Sequence, residues 1–371
     1  MFINNLFYEK QLLQNIQKHH FEKLYAPDNP SGILLCQKHL GGFRWRRRYL
    51  QAGRPVTTNL HKAEKELAKK LAVNLYRIAC IQYLQSQICA IDNILRQFGS
   101  TDNMLRQPGS TDNMQKQLGS TDSMQKQLGS TGSMQKQLGS TGNTLKCQIP
   151  DDPKDSLQGD FPTMPDFQDL FRGLHSRPLV PADFFDLKSP YRQFILSHLQ
   201  NEYSWIIEWY LTDYEKNTDH PEQLIFPVKL GFNVRSKSEV LIADRLYEEG
   251  ILLHYEEKLF LSDHSCRPDF NIPITFYEKY KWEHFGAMDK SFYFNITRGK
   301  ILDYLDNQMF PGINMLTTYE TKQNPLTEEQ VDHVITWLKR RYRLAFPDMP
   351  PDNSINMYDL AAYVKNQRSQ Q

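Results

Sequence analysis

No stretch of this 371-residue chain approaches the roughly 18 uninterrupted apolar residues that a membrane span needs. The opening segment, from Met1 to Lys10, reaches Glu9 before a signal-type apolar run can form. A cytoplasmic protein without a membrane partner is therefore expected. Cysteine is sparse and scattered: Cys36, Cys80, Cys89, Cys147 and Cys266 form no CxxC pair and no zinc-type spacing with histidine. That excludes a disulfide framework and a structural zinc. Charge of one sign is missing as well, because 44 Lys and Arg against 43 Asp and Glu leave a net +1. Attraction to a polyanion must then come from local clusters rather than from the overall field. No glycine-rich phosphate loop occurs, which argues against nucleotide-driven chemistry.

From Ile91 to Ser140 the chain repeats with a period of ten, IDNILRQFGS, TDNMLRQPGS, TDNMQKQLGS, TDSMQKQLGS and TGSMQKQLGS. Ten residues are too few for a solenoid unit, and a period of ten moves the Leu and Met positions around a helix instead of aligning them. The array reads as a spacer, with a regular helical or fibrous element as the alternative. It sets the expected organisation: an N-terminal unit over 1–90, the repeats over 91–145, an irregular Pro- and Asp-rich linker over 146–185, an α/β domain over 186–345 with its core at 231–321, and a C-terminal tail over 346–371.

The N-terminal unit carries helical spacing over Asn5 to Leu24 and again over Leu60 to Leu95. Between them, Gly41-Gly42 separates ILLCQKHL from FRWRRRYL, the pattern of a β-hairpin. No acid occurs from Asn29 to Ala63, and strand alternation gathers Arg44, Arg46 and Arg48 on one face opposite Phe43, Trp45, Arg47 and Tyr49. This strip is a candidate nucleic-acid contact, or else a solvated edge strand protected by charge. Self-association through the N-terminal helices is a further expectation for this unit.

Chemistry concentrates further on. The pattern predicts a helix over Pro190 to Tyr214, a helix over Ser236 to Glu249, extended chain over Leu252 to Leu261, strands at Arg267 to Ile272 and Tyr280 to Phe285, a helix over Ser291 to Asn307, a strand at Ile313 to Tyr319, and a helix over Thr327 to Tyr342. This is a mixed α/β layout with acids at three separated points: Glu239, Asp269 thirty residues on, and Glu283 fourteen beyond that. A hard divalent cation is commonly held by one or two carboxylates, waters and a substrate phosphate, which suits acids on adjacent strands. Each acid also has a plainer reading. Ser236-Lys-Ser-Glu239 fits a capping box, Asp269 fits a turn after proline, and Glu283 fits an ion pair with Lys281 or Arg298. His284 fits a packed histidine, and Arg235 and Lys237 fit solvated charges.

In order and element, these residues resemble the restriction-endonuclease-like PD-(D/E)XK nuclease superfamily. Pro268-Asp269 matches its PD, Glu283 the acid of its second half, and Glu239 the helix glutamate of many members. The strings Val234-Arg-Ser-Lys-Ser-Glu239 and Trp282-Glu-His-Phe-Gly286 are similar to little-characterised bacterial and phage-associated members. The resemblance spans about a quarter of the chain and implies a mixed sheet flanked by helices. It also implies Mg²⁺, or Mn²⁺ in its place, held by Asp269, Glu283 and the His284 carbonyl. Glu239 would orient water or a second ion, Arg235 and Lys237 would contact nucleic acid, and the reaction would be phosphodiester hydrolysis, with DNA as the expected partner. The family's lysine falls at position 285, where this chain has Phe. Lys300 is the first candidate to replace it, ahead of Lys281, Lys258 and Lys237, and His284 is a candidate acid or base although alternation points it away from Glu283. The absent lysine at 285 keeps a second class open, a catalytically inactive DNA-binding or assembly subunit on the same fold.

Overall fold

The register of one small sheet determines where the acids sit, and the helices around it follow from where proline and apolar spacing permit them. A computed structural model describes residues 2–39, 42–105, 169–172, 174, 179–261, 264–276 and 278–370. The repeats beyond residue 105, most of 146–185 and the hairpin apex at 40–41 lie outside the described residues. Met1–Leu95 and Asp166–Gln371 belong to one compact unit, and Arg96–Pro165 to another.

Helix α1 (Phe2–Leu24) and the long α2 (Lys65–Leu105) occupy the two predicted helical stretches, and α2 continues through the first repeat copy. Leu12, Leu13 and Ile16 of α1 meet Leu84, Ile88 and Ile91 of α2 in one buried cluster. Strands β1 (Ile33–His39) and β2 (Gly42–Gln51) pair antiparallel from Ile33 opposite Arg48 to His39 opposite Gly42, as the hairpin pattern predicts. A third strand, β3 (Arg54–Asn59), extends this to a meander. At Gly32, with φ +99°, a Cβ would strike the Arg48 carbonyl, so this entry into β1 demands glycine.

The single helix expected over Pro190 to Tyr214 is two, α3 (Arg192–Glu202) and α4 (Ser204–Leu211), broken at Tyr203 with φ −111° and ψ 25°. The short pair β4 (Phe226–Pro227) and β5 (Asn233–Val234) leads into α5 (Lys237–Glu248), whose N-cap is Ser236. Leu252 to Leu261 is not one strand. It splits into β6 (His254–Tyr255) and β7 (Leu259–Phe260) because Glu256 sits at φ +48°, which no strand tolerates. β7 pairs with β8 (Ser265–Cys266), and β9 (Phe270–Pro273) starts after Pro268, which has no N–H for a ladder. Then follow β10 (Lys279–Phe285), α6 (Ser291–Asp306), β11 (Met315–Tyr319), α7 (Glu328–Ala345) and α8 (Met357–Arg368).

Four strands form an open mixed sheet in the order β11-β10-β9-β6, with β10 parallel to β11 and antiparallel to β9. The parallel pair is joined through α6, as a parallel connection requires. One face of the sheet is apolar: Phe270, Ile272, Tyr280 and Trp282 are buried, and Tyr280 meets Trp337 of α7 edge to face. The described residues are thus a mixed α/β fold. The segment after Phe346, expected to be a tail, instead buries Met357, Leu360, Ala361 and Val364 along α8. Among the described residues, no helix is long and apolar enough to cross a membrane.

Candidate active site

Antiparallel register sets Lys281 opposite Asn271 and Trp282 opposite Phe270. The next rung brings Glu283 opposite Asp269, and residues opposed in this way project from the same face. The backbone N–H of His284 closes the pair by donating to Asp269 Oδ2 at 2.7 Å. Two acids that lie thirty and forty-four residues beyond Glu239 in the sequence are thereby placed side by side on the polar face, the face opposite Trp282.

Glu283 is only 3% exposed, and both its oxygens are occupied. Tyr304 donates to Oε2 at 2.9 Å, and Lys300 donates to Oε1 through its Nζ. Lys300 and Tyr304 are four residues apart on α6, so they lie on one side of the helix and reach the same carboxylate. Phe285, in the position of the expected lysine, is buried and stacked on Tyr319. None of the other candidate lysines is shown at Glu283. Lys258 pairs with Glu215 at 2.8 Å, Lys281 donates to the Lys279 carbonyl at 3.1 Å, and Lys237 is exposed on the first turn of α5.

Glu239 is buried at the start of α5 and accepts from the Tyr255 hydroxyl at 2.6 Å, the Ser236 hydroxyl at 2.8 Å and the Arg235 backbone N–H at 3.1 Å. Ser236 accepts in return from the Glu239 N–H at 3.1 Å. The capping exchange expected from the sequence is present in modified form, since Glu239 reaches back to the residue before the cap. Its charge nonetheless reaches Asp269. Burial first, then the Glu283 and Glu239 charges, hold the Asp269 carboxyl well above the usual aspartate range, against the pull of Lys300. Burial also raises Glu283, with Lys300 and Tyr304 opposing it. Burial works against the Lys300 ammonium, but Glu283 and Asp269 outweigh it and lift its pKa above that of ordinary lysine. The three acids, one lysine and two tyrosines therefore form one electrostatic unit.

His284 does not join that unit through its side chain. Its Nδ1 lies 3.0 Å from Thr318 Oγ1 and its Nε2 3.5 Å from Glu320 Oε1, on the opposite face of β10. Strand alternation predicts this, and the ring belongs to a polar brace that also receives Trp282 Nε1 at Thr318 and the Ser238 hydroxyl at Glu320. Arg235 is equally committed: its guanidinium grips Glu256 at 2.6 and 3.1 Å and the carbonyls of Asp219 and His220 at 2.7 and 2.8 Å. That clamp fixes Glu256 in its left-handed conformation. On β2, Arg48 donates to the Leu170 carbonyl at 2.6 Å and to the Arg172 carbonyl, the Arg46 Nε is buried without a partner, and Arg44 is exposed.

Among the described residues, no group of three or more His, Cys, Asp or Glu side chains is placed to hold a metal ion unaided. Asp269 and Glu283 fit a cation that takes its remaining ligands from water and substrate, because burial first and their clustered charge second hold the Asp269 carboxyl toward the neutral form, which a cation between them would relieve. Tyr304 and Tyr255 carry no motif and were not expected from the sequence. The four-residue step from Lys300 was the available signal for Tyr304, whereas Tyr255 becomes visible only through its pairing with Phe270 beside Asp269. No protein-family model, no curated protein and no solved structure matches this chain.

Proposed function

We propose that the chain is a divalent-metal-dependent nuclease of the restriction-endonuclease-like type, hydrolysing phosphodiester bonds in DNA. The observation that carries the reading is the Lys300 contact on Glu283, beside Asp269. A lysine missing from the strand arrives at the same carboxylate from the following helix, so the charge set of two acids and one lysine is complete. Asp269 and Glu283 would hold Mg²⁺ or Mn²⁺, which when bound polarises a phosphate and lowers the pKa of a coordinated water. Lys300, a third exposed at its side chain, extends from solvent to a buried acid and is positioned to orient the attacking water and offset developing negative charge on the phosphate. Tyr304 fixes the second oxygen of Glu283, and Glu239 with Tyr255 closes the side of the site nearest α5. His284 holds Asp269 by its backbone N–H, while its ring faces Thr318 on the other side of the strand.

The inactive-subunit alternative rests on Phe285 in the place of the lysine, and the Lys300 contact on Glu283 favours the active reading over it. The test is nicking of supercoiled plasmid in Mg²⁺ or Mn²⁺ by the wild-type chain and by Glu283→Gln. Metal-dependent nicking that EDTA abolishes and Glu283→Gln lacks is expected. Metal-independent cutting, or none with either ion, overturns the reading.

A further inference from the structure

Helix α6 exposes more aromatic surface than a solvated helix needs. Phe292 is 71% exposed, Ile296 52% and Tyr293 47%. At 100° per residue, Phe292, Ile296, Lys300 and Tyr304 follow one i, i+4 ridge, and Tyr293 lies alongside it. The ridge descends from solvent into the site: Phe292 and Ile296 are exposed, Lys300 is partly buried, and Tyr304 is buried on Glu283. Phe292 and Tyr293 stand edge to face with centroids 5.8 Å apart, and the Lys290 ammonium lies 5.6 Å from the Tyr293 ring. From Lys290 to Leu302 the chain carries Lys290, Arg298 and Lys300 and no acid.

Lys290 beside the Tyr293 ring, together with Arg298, offers cations to a polyanion at the open rings, although Asp289 and Asp303 bound this stretch and Lys300 is already paired with Glu283. Open aromatic rings add a further requirement, because stacking needs free base faces, and in a duplex those faces are covered by neighbouring base pairs. Phe292 and Lys300 are eight residues apart, about 12 Å along the helix, so one strand can touch both. Resting on the nuclease reading above, we propose that the site takes single-stranded DNA, with unpaired bases stacked on Phe292 and Tyr293 while the adjoining phosphate lies at Lys300 and Glu283.

The test is fluorescence anisotropy of the full chain with a labelled 20-nucleotide oligo-dT and with a 20-base-pair duplex, both in EDTA so that nothing is cut. The single strand is expected to bind at least about 10-fold more tightly, and Phe292→Ala/Tyr293→Ala to weaken it by about 10- to 100-fold while leaving duplex binding unchanged. Both rings are solvent-exposed, so their removal leaves the core intact. Equal or tighter duplex binding, or a double variant that binds the single strand as the wild type does, overturns the proposal. So does a wild-type dimer in light scattering that the double variant dissociates with no change in DNA binding. Because binding is read without metal, it separates the two claims. Platform-dependent single-strand binding by a chain that never cuts sinks the nuclease reading alone, and a cutting enzyme indifferent to the double variant sinks the platform alone.

Discussion

Lys300 Nζ meets Glu283 Oε1 across seventeen residues of chain, from a helix to the strand before it. In the resembled pattern the same pairing is made within one strand, two residues apart, where this chain has Phe285. Buried phenylalanine there packs on Tyr319, which a lysine at 285 would have forgone.

Lys300→Met should lower the cleavage rate by about 100-fold or more, since a buried, positioned charge acting on the transition state is worth that much when removed. Lys300→Arg should fail to restore it, because a planar guanidinium does not reproduce the compact ammonium between Glu283 and Tyr304. The rates are to be compared at saturating DNA, with circular dichroism showing that each variant is folded.

Asp269→Asn should raise thermal stability in EDTA. The folded Asp269 carboxyl holds its proton above the usual aspartate range, so the folded state binds a proton that the unfolded chain has released. Stability is then lost as pH rises from about 4 through the raised folded value. Calorimetry should show the variant melting above wild type at pH 8, with the gap closing toward pH 4.

The same proton should leave when metal binds. Titration of Mn²⁺ in two buffers of different ionisation heat should report net proton release below the raised folded value of Asp269, and metal affinity should rise with pH. Asp269→Asn should show neither.

A second buried cluster should govern acid stability. Asp348, 1% exposed, accepts from Arg77 at 3.2 Å and lies 3.1 Å from His19 and 3.2 Å from His198. Burial lowers the neighbouring His20 to about 3, against the attraction of Asp348. The unfolded chain takes up that proton below about 6.5 and the folded chain does not, so stability falls as pH drops from about 6.5 toward 3. By pH 5 the loss from His20 reaches about 2 kcal/mol. Melting temperatures between pH 7 and pH 5 should fall less steeply in His20→Gln.

The polar face of the sheet was legible because strand alternation is strict: Glu283 against His284 follows from period two alone, and His284 is found on the far side as expected. The acids' meeting followed from order plus register. Tyr304 was missed because an uncharged residue on a helix carries no motif, although it sits one turn from Lys300. Asp348 was illegible for a different reason. Its partner His19 lies 329 residues away, and no local pattern announces a contact of that span. The helix at Met357–Arg368 was legible but missed: Met357, Leu360, Ala361 and Val364 stand at i, i+3, i+4 and i+7 behind the cap residue Asn356, and the Pro- and Asn-rich stretch before it reads as a tail.

The central claim is that Asp269 and Lys300, reaching Glu283 from a strand and a helix, act as one unit, and a double-mutant cycle on single-turnover DNA cleavage tests it most directly. Asp269→Asn and Lys300→Met should each cost about 100-fold or more, and the double variant should be no slower than the slower single. Losses that multiply in the double variant, or either single variant cutting at the wild-type rate, would contradict the account.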